Sequence, residues 1–275
     1  MKWRTVLCAA LFLCGTVLLS ACGGGEMPAP AEPPASSEVS APSQPEEEVP
    51  APSESASSSE PEPLPEPEPP KPWDGMVIPE GCKAEWKMTA GVLTLKSYDT
   101  GKQTTVTLPT GKPYVIGWKC FENNQKIVSV TFPADVIEIG QAAFAGCSAL
   151  RQVDFSKSGV RKIGTAAFER AALETVVLPE NIVELGTDVF AECRKLSMAK
   201  VEGMTEIPEQ TFARCENLRT VYLGPLVGKI EQRAFFNCPL EVVYYNGDWE
   251  KLISDKFCIE GNDTLKRAEH RTRLN

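Results

Sequence analysis

The sequence predicts a repeat solenoid of about six coils of 22–24 residues, each giving a parallel strand to a common sheet, with short β segments capping the stack. Three observations predict it. Ile127, Leu150, Leu173, Leu196, Leu218 and Leu240 recur at intervals of 23, 23, 23, 22 and 22 residues. Each is followed three and five places later by apolar side chains: Val130 and Phe132, Val153 and Phe155, Val176 and Leu178, Ala199 and Val201, Val221 and Leu223, Val243 and Tyr245. A second ladder runs through Phe121, Phe144, Phe168, Phe190, Phe212 and Phe235, and Cys147, Cys193, Cys215 and Cys238 stand three places after four of them.

Each element follows from these spacings. Two apolar residues two apart share one face of a strand, so each pair points into its coil and the residues between face solvent. The phenylalanines fill the coil interior. Ile116-Gly117, Ile139-Gly140, Ile163-Gly164 and Leu185-Gly186 form the preceding turn, whereas Ile207-Pro208 and Ile230-Glu231 depart from it. Proline cannot adopt a positive φ and glutamate seldom does, so a tight right-handed turn is expected.

Ile139-Gly140, Ala142, Phe144, Cys147 and Leu150, in that spacing, resemble the repeat of the BspA-type leucine-rich-repeat family of bacterial surface proteins. The likeness extends over about 111–252. Trp86 through Leu95 is similar to the strand-forming segment that opens the family's stack, and Val243 through Trp249 to the one that closes it. The resemblance implies an α/β leucine-rich-repeat solenoid with an N-terminal β cap at 73–110, repeats at 111–252 and a C-terminal cap and tail at 253–275. It also implies a concave strand face that binds protein, with adhesion to host or matrix proteins as the expected role.

The N-terminal quarter obeys different rules. Lys2 and Arg4 precede an apolar run from Val6 to Leu19, which is the pattern of a signal peptide (residues 1–21) and too short for a membrane span. Leu19-Ser20-Ala21-Cys22 resembles the lipobox of bacterial lipoproteins, which implies cleavage before Cys22 and a diacylglycerol on its thiol. The expected location is the bacterial cell membrane, lipid-anchored and facing the extracytoplasmic side. Residues 22–72 then read as a lipidated cysteine and a disordered tether, because Pro, Glu, Ser and Ala offer too little burial to offset the entropy of ordering. Fifteen of the 23 prolines lie there, and at roughly 3.1 Å per residue the tether reaches at most about 150 Å.

Charge separates the two parts. Residues 23–72 hold eleven Glu and one Lys, so the net charge of -9 belongs to the tether and residues 73–275 are nearly neutral. A neutral domain without a basic stripe argues against nucleic-acid binding. Cys8 and Cys14 leave with the signal. The four ladder cysteines are expected to pack as small hydrophobes whose thiols weakly satisfy backbone groups. Adjacent coils also place Cys193 and Cys215, or Cys215 and Cys238, within disulfide reach.

No cofactor, metal site or catalytic group is expected. There is no CxxC pair, P-loop or GxGxxG, and His270 is the one histidine, set in a polar tail with Arg267, Arg271 and Arg273. A Cys258–His270 dyad can be drawn but has nothing to orient its base, and a lone surface histidine is the better reading. Asp248, Asp255, Glu260, Asn262 and Asp263 lack the ordered ligand spacing of a calcium loop and read as solvated turns.

The second and fourth positions after each ladder leucine face solvent. Early coils place Ser129, Thr131, Gln152 and Asp154 there; later coils place Val177, Met198, Lys200, Tyr222, Val242 and Tyr244. Exposed Tyr and Met suit a protein interface, although Tyr and Val are also good strand residues. Val177, Met198, Tyr222, Val242 and Tyr244 are therefore the candidate ligand-binding residues. The expected protein is a monomeric, membrane-anchored binding module for a host-matrix or envelope protein; the alternative is an envelope-organising structural lipoprotein without an external ligand.

Overall fold

The computed structural model describes residues 69–272. Cys22 and almost all of the tether lie outside the described residues. A hairpin of β1 (Lys83–Thr89) and β2 (Val92–Asp99) comes first, its turn made by Ala90 and Gly91 with φ of 49° and 79°. Each coil then gives one strand to a front face and one to a flank. In chain order these are β3 (Thr105–Thr107) and β4 (Tyr114–Ile116), β5 (Ser129–Thr131) and β6 (Val136–Ile139), β7 (Gln152–Asp154) and β8 (Lys162–Ile163), and β9 (Thr175–Leu178) and β10 (Glu184–Leu185). They continue as β11 (Met198–Val201) and β12 (Glu206–Ile207), then β13 (Thr220–Leu223) and β14 (Lys229–Ile230). β15 (Val242–Tyr244), α1 (Trp249–Leu252), α2 (Asp263–Arg267) and β16 (Glu269–Arg271) close the stack.

All neighbouring strands pair in parallel except β1 with β2, so the chain is the expected solenoid. The parallel stacking starts at β2, which pairs with β4 on the flank, and at β3, which pairs with β5 on the front, both inside the stretch 73–110. Among the described residues helix is confined to the two short C-terminal segments. The rear of each coil, where the phenylalanines sit, is a run of tight turns: Cys120, Glu122 and Asn124 donate their N–H groups three residues back, while Lys119, Phe121 and Asn123 donate forward to carbonyls of the next coil. Sending alternate N–H groups across the stack is incompatible with a helix, whose N–H groups bond within it.

The rear turns put two residues per coil at positive φ: Lys119 and Asn123, Ala142 and Gly146, Ala166 and Arg170, Asp188 and Glu192, Gln210 and Arg214, Arg233 and Asn237. Only one of these twelve is glycine. Left-handed backbone costs a non-glycine residue about 1 kcal/mol or more, and the hydrogen bonds on both sides hold it there. Gly117, Gly140, Gly164 and Gly186 do not have positive φ, as expected of a right-handed turn. They are glycines because a Cβ on Gly140 would stand 2.6 Å from the Ile116 carbonyl oxygen.

The N–H groups of Gly140, Gly164, Gly186 and Glu231 each donate to the preceding coil's Ile116, Ile139, Ile163 or Ile207 carbonyl. Pro208 has no N–H to give, and there the flank sheet breaks between β10 and β12. Along the flank, Glu138, Lys162 and Glu184 stand in register, with Lys162 Nζ 3.0 Å from Glu184.

The core is a column of stacked rings. Phe121, Phe144, Phe168, Phe190, Phe212 and Phe235 lie nearly parallel, with centroids 4.7, 5.2, 5.5, 5.5 and 5.4 Å apart. A second pair, Phe132 and Phe155, meets it edge-on. Beside this column the thiols of Cys147, Cys193, Cys215 and Cys238 donate to the carbonyls of Phe121, Phe168, Phe190 and Phe212 of the preceding coils, at 3.2, 3.1, 3.2 and 2.9 Å. Seven cysteines among the described residues are free thiols. Burial pushes the Cys147 and Cys193 thiols up to about 12, so they remain protonated donors.

The C-terminal cap imitates a further coil with side chains. The N–H groups of Phe121, Phe144, Phe168, Phe190 and Phe212 each donate to a backbone carbonyl of the next coil. Phe235, the last, donates instead to Asn262 Oδ1 at 2.9 Å, and its carbonyl accepts from the Thr264 hydroxyl at 3.2 Å where a cysteine thiol would otherwise stand. Asn262 is buried and its Nδ2 donates to Glu231 and Ile259 carbonyls. Its assignment to a solvated turn is thus corrected.

Candidate functional site

The front face carries two solvent-facing rows. Strand register aligns Thr175, Met198, Thr220, Val242 and Glu269 in one, and Val177, Lys200, Tyr222, Tyr244 and Arg271 in the other. The five candidate residues therefore lie on one continuous sheet from β9 to β15. Alternation decides this: Val176, Ala199, Val221 and Val243 point inward and are buried, which turns their neighbours outward.

Tyr222 and Tyr244 sit directly opposite one another, ring centroids 4.5 Å apart and 4° from parallel, a spacing close to that of adjacent strands. Met198, Tyr222, Val242 and Tyr244 are half-buried, and Val177 is 44% exposed. The cations that flank the tyrosines are neutralised nearby: Lys200 Nζ lies 2.7 Å from Glu202, and Arg271 forms a two-pronged pair with Glu269 at 2.9 Å on each prong. Arg271 also reaches the Tyr244 hydroxyl at 3.5 Å. The result is an apolar and aromatic centre bounded by closed ion pairs, which suits a protein surface and offers no free charge to an anion.

Glu269 and Arg271 were not foreseen as part of this face. The segment does not form a free polar tail: β16 adds to the sheet beside β15, and His270, half-buried, stacks on Trp249 at 4.7 Å and donates from Nε2 to the Tyr245 carbonyl at 2.8 Å. The lone surface histidine is corrected accordingly. The only sequence signal was the polar alternation Glu269-His270-Arg271, three residues long. Cys258 lies elsewhere, bridged to Ile230 on the flank with its thiol pushed up to about 11 by burial, so it forms no dyad with His270. Asp255 is held by Lys266 at 2.7 Å, and Asp248 caps α1 by accepting from Lys251 N. Among the described residues no group of three His, Cys, Asp or Glu side chains is placed to hold a metal ion.

The front face is interrupted once. β3, β5 and β7 form one sheet and β9, β11, β13, β15 and β16 another. Between β7 and β9 lies a cleft of about 240 Å³ lined by Gln152, Asp154, Ser156, Thr175, Val177 and Pro179. The coil here has one more residue between Phe155 and Val160 than its neighbours have between Phe132 and Val136 or Leu178 and Ile182, and one fewer between Phe168 and Leu173 than between Phe144 and Leu150. The second irregularity leaves a dent of about 310 Å³ on the rear, floored by Ala171 and Ala172.

The profile of the "BspA type Leucine rich repeat region" matches residues 99–258 in six copies. The chain belongs to the BspA-type leucine-rich-repeat family. Solved structures similar to it include the leucine-rich repeat protein of T. pallidum, 22% identical with 69% of this chain and 95% of that chain covered and a TM-score of 0.45. The pneumococcal vaccine antigen PcpA is 14% identical with 69% and 48% covered and a TM-score of 0.48. A leucine-rich repeat protein of Bacteroides ovatus is 16% identical with 61% and 58% covered and a TM-score of 0.39. This BspA-type chain thus spans little more than half of the Bacteroides protein. A search of the curated proteins finds no match.

Proposed function

We propose that this BspA-type chain is a membrane-anchored extracytoplasmic protein-binding module that docks its partner on the Tyr222–Tyr244 end of the front face. The stacked tyrosine pair carries the reading. Tyrosine supplies large contact area at low ordering cost and a polar tip, and Val177, Met198 and Val242 extend the apolar patch on the same sheet. Attachment in this reading is through the diacylglycerol on Cys22, two acyl chains holding at about 0.8 kcal/mol per buried methylene. Among the described residues no helix is long and apolar enough to cross a membrane.

The test is a photo-crosslinking residue placed at position 222 or, as a control, at Arg194 on the rear, in the full chain displayed on cells and offered host-matrix proteins. A partner is expected from position 222 and not from 194, and the Tyr222→Ala, Tyr244→Ala pair is expected to weaken its binding by at least about 30-fold. Unchanged binding by the double variant refutes the docking surface. Recovery of envelope proteins alone moves the reading to an envelope-organising lipoprotein. Cys22→Ala is expected to abolish incorporation of labelled fatty acid and release the chain from the membrane; retention would refute the anchor.

A further inference from the structure

The cleft between β7 and β9 is too small for the general run of small-molecule sites, which occupy about 300–1,000 Å³, and its lining is specific. Asp154, Gln152, Ser156 and Thr175 bring acceptor oxygens to it, while Val177 and Pro179 form an apolar wall. On the front rows the other charges are closed by their own neighbours, Lys200 by Glu202 and Arg271 by Glu269. Asp154 has no ion pair among the described residues. Its Oδ1 accepts from Ser156 N at 2.8 Å, which fixes the carboxylate, and the remaining lone pairs of its two oxygens can take further donors. That hydrogen bond, a second one from the Ser156 side chain and, less strongly, the nearby Lys157 hold the carboxyl below the usual aspartate range, so it is charged at neutral pH.

We propose that this cleft receives an arginine side chain of the protein docked on the front face, the guanidinium meeting Asp154, Gln152 and Thr175 and the methylene stem lying along Val177 and Pro179. A guanidinium has five N–H donors in a planar fork and matches several converging acceptors, whereas an ammonium is a compact point charge. Its stem covers apolar surface while the head stays polar. β7 and β13 are three strand positions apart, so the arginine sits roughly 15 Å from the partner's contact with Tyr222. The proposal rests on the front face being the docking surface and assigns the partner a basic residue at that distance.

The test does not need the partner. Nα-acetyl-L-arginine N-methylamide is titrated into the full chain in detergent and followed by saturation-transfer NMR, with the uncharged citrulline analogue as control. Arginine is expected to bind in the millimolar range, to weaken at high salt and to outbind citrulline about five-fold. Asp154→Asn keeps the oxygen that accepts from Ser156 N, so the turn is preserved, and it is expected to lower arginine affinity to that of citrulline. Equal binding of the two probes, or unchanged binding by Asp154→Asn, overturns the assignment. The Tyr222→Ala, Tyr244→Ala variant is expected to bind arginine normally; loss there would put the probe elsewhere and overturn it too. Normal arginine binding beside a failed docking test would leave the cleft standing and remove the tyrosine surface.

Discussion

Asn262→Ala tests whether one side chain stands in for a missing coil. Asn262 Oδ1 takes the Phe235 N–H, and Nδ2 serves the Glu231 and Ile259 carbonyls. Each such bond contributes about 1 kcal/mol net, and a buried N–H left without an acceptor costs about 1–3 kcal/mol more. Truncation should therefore cost about 3 kcal/mol or more, which is large for a single substitution. Because a solenoid is stabilised by contacts between neighbours, the loss should be local, fraying α2 and β16 before the central coils. Hydrogen exchange resolves this: the Phe235 amide and the segment 259–271 should lose protection while amides near Phe168 keep theirs, and the urea midpoint should fall. Asn262→Asp retains the acceptor but turns an oxygen toward the Glu231 and Ile259 carbonyls, so it should recover stability as pH falls and the carboxyl regains a donor proton. An Asn262→Ala protein with unchanged Phe235 protection and an unchanged midpoint would refute the cap argument.

Two further outcomes follow from the electrostatics. An unfolded thiol titrates near about 8.5, whereas burial holds those of Cys147 and Cys193 up to about 12. The folded chain thus keeps protons that the unfolded chain loses, so this contribution to stability is complete below about pH 8.5 and is lost as pH rises toward 12. Thiolate absorbance and denaturant midpoints across that window check it; thiolate from these residues at pH 9 in folded protein would refute it. Lys162→Glu would align three carboxylates across β6, β8 and β10, and should lower the thermal midpoint at low salt with recovery at high salt. A salt-independent loss would assign the effect to packing instead.

The stack was legible because each coil repeats the same packing problem: six leucines or isoleucines, six phenylalanines and four cysteines state one solution several times. What happens once has no such redundancy. Asn262 and Thr264 look like turn residues in sequence and are drawn into the core by Phe235, which sequence spacing does not connect to them. Arg271 joins the front face only because β16 pairs with β15. The left-handed positions were hidden because Lys, Ala, Asp, Gln and Arg all occupy them, the conformation being imposed by hydrogen bonds rather than by residue type. The third coil concealed its cleft for an arithmetic reason: its extra residue on one side and its missing one on the other leave the 23-residue period intact. The tyrosine patch was visible from alternation, whereas its neutralisation by Glu202 and Glu269 depends on side-chain reach and was not.

The thiol-to-carbonyl column has a bearing on how such a protein changes length. Four of the five internal junctions repeat the same three joints: ring on ring, thiol to the carbonyl behind, and N–H to the carbonyl ahead; between the Phe144 and Phe168 coils Ala171 takes the cysteine's place and the thiol is missing. A duplicated coil therefore meets correct neighbours on both sides and leaves both caps untouched. The span of the front face can then change in steps of 22 or 23 residues without redesign of any surface.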